Sequence, residues 1–118
     1  MNKMTKIAIP TDDGLHVRLT CCRSRAFLVA TLNSGKIIHQ ELRWNLLSEM
    51  MTSKFGYFYN LNDCDVVIVK EVEDSHKKIL ISKNMNIVRS EEKEITTALL
   101  KYLKNNPVHF EEQLNERA

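Results

Sequence analysis

The hydrophobic positions of this chain change period part-way along it. Residues 6–10 (KIAIP) form a short apolar run closed by proline, which predicts a buried strand running into a turn at Thr11-Asp12-Asp13-Gly14. Leu15, Val17 and Leu19 then alternate with His16, Arg18 and Thr20, the period-2 pattern of a half-buried strand or extended segment. Residues 26–32 (AFLVATL) and 36–44 (KIIHQELRW) are rich in strand formers, and Asn33-Ser34-Gly35 between them supplies the small residues of a tight hairpin. Simple alternation along the second arm puts Ile38, Gln40, Leu42 and Trp44 on one face, and Ile37, His39, Glu41 and Arg43 on the other, mostly wet face.

Beyond residue 45 the alternation stops. Leu46, Leu47, Met50, Met51, Phe55, Phe58 and Tyr59 fall at helical spacings, with Gly56 predicting a break. Residues 64–69 (CDVVIV) are almost continuously apolar and β-branched, the signature of a central strand covered on both faces. A helix follows from Asp74 or Ser75 as cap, with His76, Ile79, Leu80 and Lys83 along one side and Lys83-Asn84 as its end. A short strand at 86–89 precedes a second helix. Ser90 is its predicted cap, Glu91 and Glu92 suit the positive end of the helix dipole, and Ile95, Ala98, Leu99, Tyr102 and Leu103 form its apolar stripe. Asn105-Asn106-Pro107 ends it.

Three strands followed by alternating helices and strands predict an α/β protein with a mixed sheet and helices on its faces. At 118 residues the chain fits a single domain over 1–118, with its core at about 6–104 and residues 105–118 as a C-terminal extension. A formal charge of +2 is too small to mark a nucleic-acid partner, and no apolar run reaches the roughly 18 residues of a membrane span. With no signal-peptide pattern at its start, the chain is expected in the cytoplasm. Three cysteines without a CxxC pair suggest neither a disulfide framework nor a zinc ribbon.

KIAIPTDDG at 6–14, RAFLVATLNSGKI at 25–37, DVVIV at 65–69 and EITTALLKYL at 94–103 occur in order and at about the spacing seen in one known family. Together they resemble the dinitrogenase iron-molybdenum cofactor biosynthesis family, the small NifX-like and NifB C-terminal-like domains. The resemblance implies a ribonuclease-H-like fold with a mixed five-stranded sheet. It also implies a non-enzymatic carrier of an iron-molybdenum cofactor precursor or other metal-sulfur cluster, working with a cluster donor or acceptor protein. The family usually has a histidine-phenylalanine-glycine-arginine run after the first turn, and a glycine-rich turn around a histidine after the DVVIV strand. Here those places hold residues 20–25 (TCCRSR) and 70–74 (KEVED).

The candidate ligands follow from that substitution. Thiolates suit the soft metals of such clusters, and clusters are commonly anionic, so Cys21 and Cys22 with Arg23 and Arg25 form the candidate cofactor-binding set. Adjacent residues of an extended chain point to opposite faces, so both thiols grip one ion only across a turn; otherwise one of them is a small core residue. His16 is the candidate third metal ligand. His39, His76 and His109 form no HxH or HxxxH pair, and Cys64 reads as buried.

Two alternatives remain. The chain could be a non-catalytic binding or regulatory module that keeps the fold without the cofactor, meeting a partner or a second copy through Trp44 and the apolar 55–59 cluster. More remotely, Asp12, Glu41 and Asp65 could be cast as the metal-holding carboxylates of a ribonuclease-H-like, magnesium-dependent nuclease.

Overall fold

The computed structural model describes residues 4–19, 24–45 and 59–105. Five strands form one sheet in the order β3-β2-β1-β4-β5, where β1 is Met4–Thr11, β2 Ala26–Asn33, β3 Lys36–Trp44, β4 Val66–Val69 and β5 Asn86–Arg89. β1 pairs antiparallel with β2 and β2 with β3, whereas β1, β4 and β5 run parallel. The mixed sheet, with helix α1 (Asp74–Ser82) and helix α2 (Ile95–Asn105), is the ribonuclease-H-like α/β architecture expected from the sequence.

Period-2 alternation divides the core into two layers. Ile7, Ile9, Leu28, Ala30, Leu32, Val66 and Ile68 pack on one face against Ile95, Ala98, Leu99 and Tyr102 of α2. Ala8, Phe27, Val29, Val67 and Val69 pack on the other face against Leu80 of α1, with Leu61, Cys64 and Met85. All four residues of β4 are buried, because only a strand with a helix over each face needs apolar side chains in both directions.

The connections obey local chemistry. Ser34 and Gly35 both have positive φ, 55° and 80°, which a two-residue hairpin needs if its twist is to match the strands. At the end of α1 Asn84 enters the left-handed region at φ 62°, and the Met85 N–H reaches back to the Leu80 carbonyl at 3.1 Å.

Three expectations change. The pairing of β2 with β3 slips between Thr31 and Leu32, so that Thr31 faces His39 but Leu32 faces Ile37. The extra residue is a β-bulge, and it turns Ile37 onto the α2 face, where it packs against the core instead of joining His39, Glu41 and Arg43. Helix α2 starts at Ile95 rather than just after Ser90. Residues 93–95 are drawn into pairing with 15–17: Val17 N–H donates to the Lys93 carbonyl at 2.8 Å and Ile95 N–H to the Leu15 carbonyl at 2.9 Å. The Ser90 hydroxyl accepts the Glu92 N–H at 3.2 Å, which holds a turn instead of capping a helix. Helix α1 is preceded by Glu73, which makes no side-chain capping bond. The helical reading of residues 45–62 lies mostly outside the described residues; the end of it, Tyr59–Leu61, is one 3-10 turn. Among the described residues no helix is long and apolar enough to cross a membrane.

Candidate functional site

The parallel strands β1, β4 and β5 all end on one edge of the sheet, and ligands of α/β folds gather beyond such carboxyl ends. Residues 11–19 leave β1 there through a turn built around Asp13. One Asp13 oxygen accepts the N–H groups of Leu15 and His16, both at 2.8 Å, and the other meets His16 Nδ1 at 2.6 Å. The His16 ring and these backbone donors hold the Asp13 carboxyl well below the usual carboxylate range. Gly14 completes the turn at φ +81°, a conformation that a side chain would strain.

Asp12 acts over a longer span. One carboxylate oxygen accepts the Arg25 N–H at 2.8 Å, and the other pairs with the Arg18 guanidinium. Partial burial works to raise its pKa, but the Arg25 N–H and Arg18 outweigh that and leave it lowered. Arg18 N–H also donates to the Pro10 carbonyl at 2.8 Å. Further along, the Leu19 carbonyl accepts the Glu71 N–H at 3.1 Å, which ties the segment to the loop after β4. On the far side Ser24 is fully buried, its carbonyl accepting from Asn45 Nδ2 at 2.9 Å, while the Arg25 carbonyl accepts the Asn45 N–H at 2.8 Å.

Cys21, Cys22 and Arg23 lie outside the described residues. Of the predicted site residues, the structure therefore locates His16 and Arg25, both exposed, on either side of the Asp12-Asp13 turn. Nδ1 of His16 is engaged by Asp13, an arrangement that in metal sites fixes the ring and leaves Nε2 as the ligand atom. Among the described residues no group of three or more His, Cys, Asp and Glu is placed to hold a metal ion.

Sequence reasoning missed a groove of about 440 Å³ between the ends of β4 and β5, lined in part by Lys70, Glu71, Lys77 and Arg89. Its signal was local, since Lys70 and Arg89 each come at the end of a strand, but only the parallel pairing of β4 and β5 brings those ends together. Glu71 joins this groove to Leu19.

The other candidates are elsewhere. Asp65 sits at the start of β4, its carboxylate accepting the Lys6 N–H at 2.9 Å, while Asp12 lies beyond the opposite end of β1. Six residues of extended chain separate their rows, roughly 20 Å. Glu41 is on β3, two strands from β1, and bonds Arg43 Nε at 3.0 Å. The three carboxylates of the nuclease reading are therefore not assembled into one metal site. Cys64 is buried, and burial first, with the Asp63 carboxylate beside it, pushes its thiol up to about 12. His39 pairs with Glu41 at 3.2 Å, and His76 is half-buried within 3.6 Å of Glu73. His109 lies outside the described residues.

The fold has counterparts in solved structures. The crystal structure of a protein from Methanocaldococcus jannaschii provisionally named a dinitrogenase superposes with a TM-score of 0.70 at 14% identity, over 87% of this chain and 91% of that one. A solution structure of the same protein gives 0.67. The protein PH0822 superposes with a TM-score of 0.67 at 16% identity, over 86% of this chain and 90% of that one. The likeness is one of fold. No protein-family model matches the chain, and no curated protein matches it in sequence.

Proposed function

We propose that this protein binds and carries a metal-sulfur cluster of the kind handled in iron-molybdenum cofactor biosynthesis, without catalysing a reaction of its own. The observation that carries the reading is where the two-thiol segment begins and ends. Leu19 before it is bonded to Glu71 of a groove lined by Lys70, Lys77 and Arg89 together with the carboxylates of Glu71 and Asp74, and Arg25 after it is bonded to Asp12 beyond the end of β1. An anionic cluster needs soft ligands with cationic donors near them, and Cys21 and Cys22 would supply the first while Arg25 and the groove supply the second. His16, turned by Asp13, is a third ligand in this reading. The fold shared with a protein provisionally named a dinitrogenase supports the same assignment. The cluster itself is the cargo, received from one protein and passed to another.

Anoxic incubation with ferrous iron and sulfide, followed by desalting, tests the proposal. The wild type is expected to emerge coloured, with iron and sulfide bound in near-integral amounts, and Cys21→Ser with Cys22→Ser together is expected to remove the colour while leaving the circular dichroism unchanged. A wild type that stays colourless and metal-free, also when offered molybdate with iron and sulfide, would sink the carrier reading in favour of a binding module that keeps the fold alone.

A further inference from the structure

We propose that Asp12 is a positioning residue for the two-thiol segment: one carboxylate ties a residue before the segment to a residue after it, so that Cys21 and Cys22 meet a soft metal from fixed ends. The role deepens the carrier reading and rests on it in one respect, that the two thiols are ligands. One Asp12 oxygen accepts the Arg25 N–H at 2.8 Å, and the other pairs with the Arg18 guanidinium. These partners lie thirteen and six residues along the chain, and residues 19–24 run between them. Each partner is fixed a second time through its backbone: Arg18 N–H donates to the Pro10 carbonyl at 2.8 Å, and the Arg25 carbonyl accepts the Asn45 N–H at 2.8 Å. Beside them the Leu19 carbonyl accepts the Glu71 N–H at 3.1 Å, and the carbonyl of the fully buried Ser24 accepts from Asn45 Nδ2 at 2.9 Å. Both flanks are tied to strand ends, and Asp12 ties them to each other.

Two thiols brought to one ion lose conformational freedom, and that loss opposes binding. Flanks held in place before the metal arrives reduce it. Hydrogen-bonded groups behind the ligands of metal sites act in the same way, and their removal typically lowers affinity by about 10- to 100-fold. Asp13 has a different task, because its carboxylate bonds to Thr11, Leu15 and His16 stay within its own turn, where they set the imidazole and leave the flanks alone. The Asp12–Arg18 pair, with both side chains more than a third exposed, contributes little to the fold. A loss of metal affinity on breaking that pair is therefore separable from a loss of stability.

Cobalt(II) is the probe, since its thiolate charge-transfer absorption reports sulfur bound to metal and requires no cluster assembly. Anoxic titration of the reduced full chain gives the affinity, mixing with excess EDTA gives the release rate, and urea titration normalises each value to folded protein. Asp12→Ala is expected to weaken cobalt binding about tenfold or more, mostly through faster release. Asp12→Asn keeps an oxygen for the Arg25 N–H, so it and Arg18→Ala should each weaken binding by only about threefold. The two together should cost no more than either alone, because both break the same pair. Arg43→Ala, whose bonds go to Glu41, Asn60 and Asp63, should leave the affinity of the folded protein unchanged. The proposal is overturned by an Asp12→Ala variant that binds and releases cobalt as the wild type does, by additive losses for Asp12→Asn and Arg18→Ala, or by a wild-type absorption that survives Cys21→Ser with Cys22→Ser. Cobalt binding that follows Asp12 in a chain taking up no iron and sulfide would keep the positioning role and remove the carrier reading, so the two fail separately.

Discussion

Asp63 and Asp12 each lie among basic residues, yet the two clusters do different work. Around Asp63 the partners come from distant strands: Arg43 of β3 donates to both carboxylate oxygens, at 2.6 and 2.9 Å, and Lys6 of β1 donates at 2.9 Å. Arg43 also bonds Glu41 and the Asn60 carbonyl, and its side chain is only 17% exposed. Every charge there is matched by another, and the guanidinium is held charged more firmly than usual, chiefly by Asp63. The cluster pins the segment 59–65 onto the face of the sheet beneath α1. Around Asp12 and Asp13, by contrast, carboxylates accept backbone N–H groups of Leu15, His16 and Arg25, and the side chains of His16 and Arg25 remain exposed. One cluster closes the structure; the other shapes a loop and leaves ligand-type side chains facing outward.

The largest effect is expected where the cluster is closed. Arg43→Ala removes charged hydrogen bonds from a mostly buried side chain and should destabilise the fold by about 2 kcal/mol in urea titrations at pH 7, the low end for such bonds because Asp63 is nearly half exposed. The pH dependence has a definite sign. Asp63 is held below the ordinary carboxylate range by Arg43 first, against burial and with help from Lys6, so the unfolded chain binds the proton more readily than the folded one. The stabilisation is complete above the ordinary carboxylate value and is lost as pH falls below it. The gap between wild type and Arg43→Ala should therefore narrow on going from pH 7 to pH 2.5. A gap that stays constant would mean that Arg43 acts through packing of its stem rather than through Asp63.

These same clusters show what could be read in the chain and what could not. The VVIV strand, the Asn-Ser-Gly hairpin and the stop at Asn84 were legible because each depends on neighbours within a few residues. The bulge that turns Ile37 inward was not, since alternation alone gives no sign of a slip between paired strands. The delayed start of α2 was hidden for a related reason: residues 93–95 are taken by a pairing with 15–17, nearly eighty positions away. At the site, the Asp-Asp-Gly turn was legible from composition. The convergence of Arg18 and Arg25 on Asp12, six and thirteen residues from it, and of Lys70 and Arg89 on one groove, emerges only when the strands are placed side by side.

A smaller effect is expected at the turn itself. Gly14 holds φ +81°, and the Cβ of an alanine there would come within 3.4 Å of Leu42 Cδ1. Gly14→Ala should cost about 1 kcal/mol, from backbone strain more than from crowding, because the leucine side chain is half exposed and has room to shift. Urea titration measures the loss, and a variant as stable as wild type would show that the turn relaxes without its left-handed residue.

The smallest stability effect, and the one that best separates the two clusters, is expected at Asp12. Asp12→Asn keeps an oxygen for the Arg25 N–H and loses only the ion pair with Arg18, whose two side chains are each more than a third exposed. Such pairs are worth roughly 0.5 kcal/mol, so the urea midpoint should barely move. Removing the charge also removes the lowered carboxyl from the titration, so the acid-induced loss of stability should become slightly shallower below the ordinary carboxylate range. If Asp12, bonded to both Arg18 and Arg25, orients the two residues that flank the thiol-bearing segment, the variant should take up iron and sulfide less completely than wild type at equal stability. Arg43→Ala should show the reverse, reduced stability with undiminished uptake by the molecules that remain folded. A crossed result, with uptake following Arg43 and indifferent to Asp12, would move the site from the strand ends to the face beneath α1.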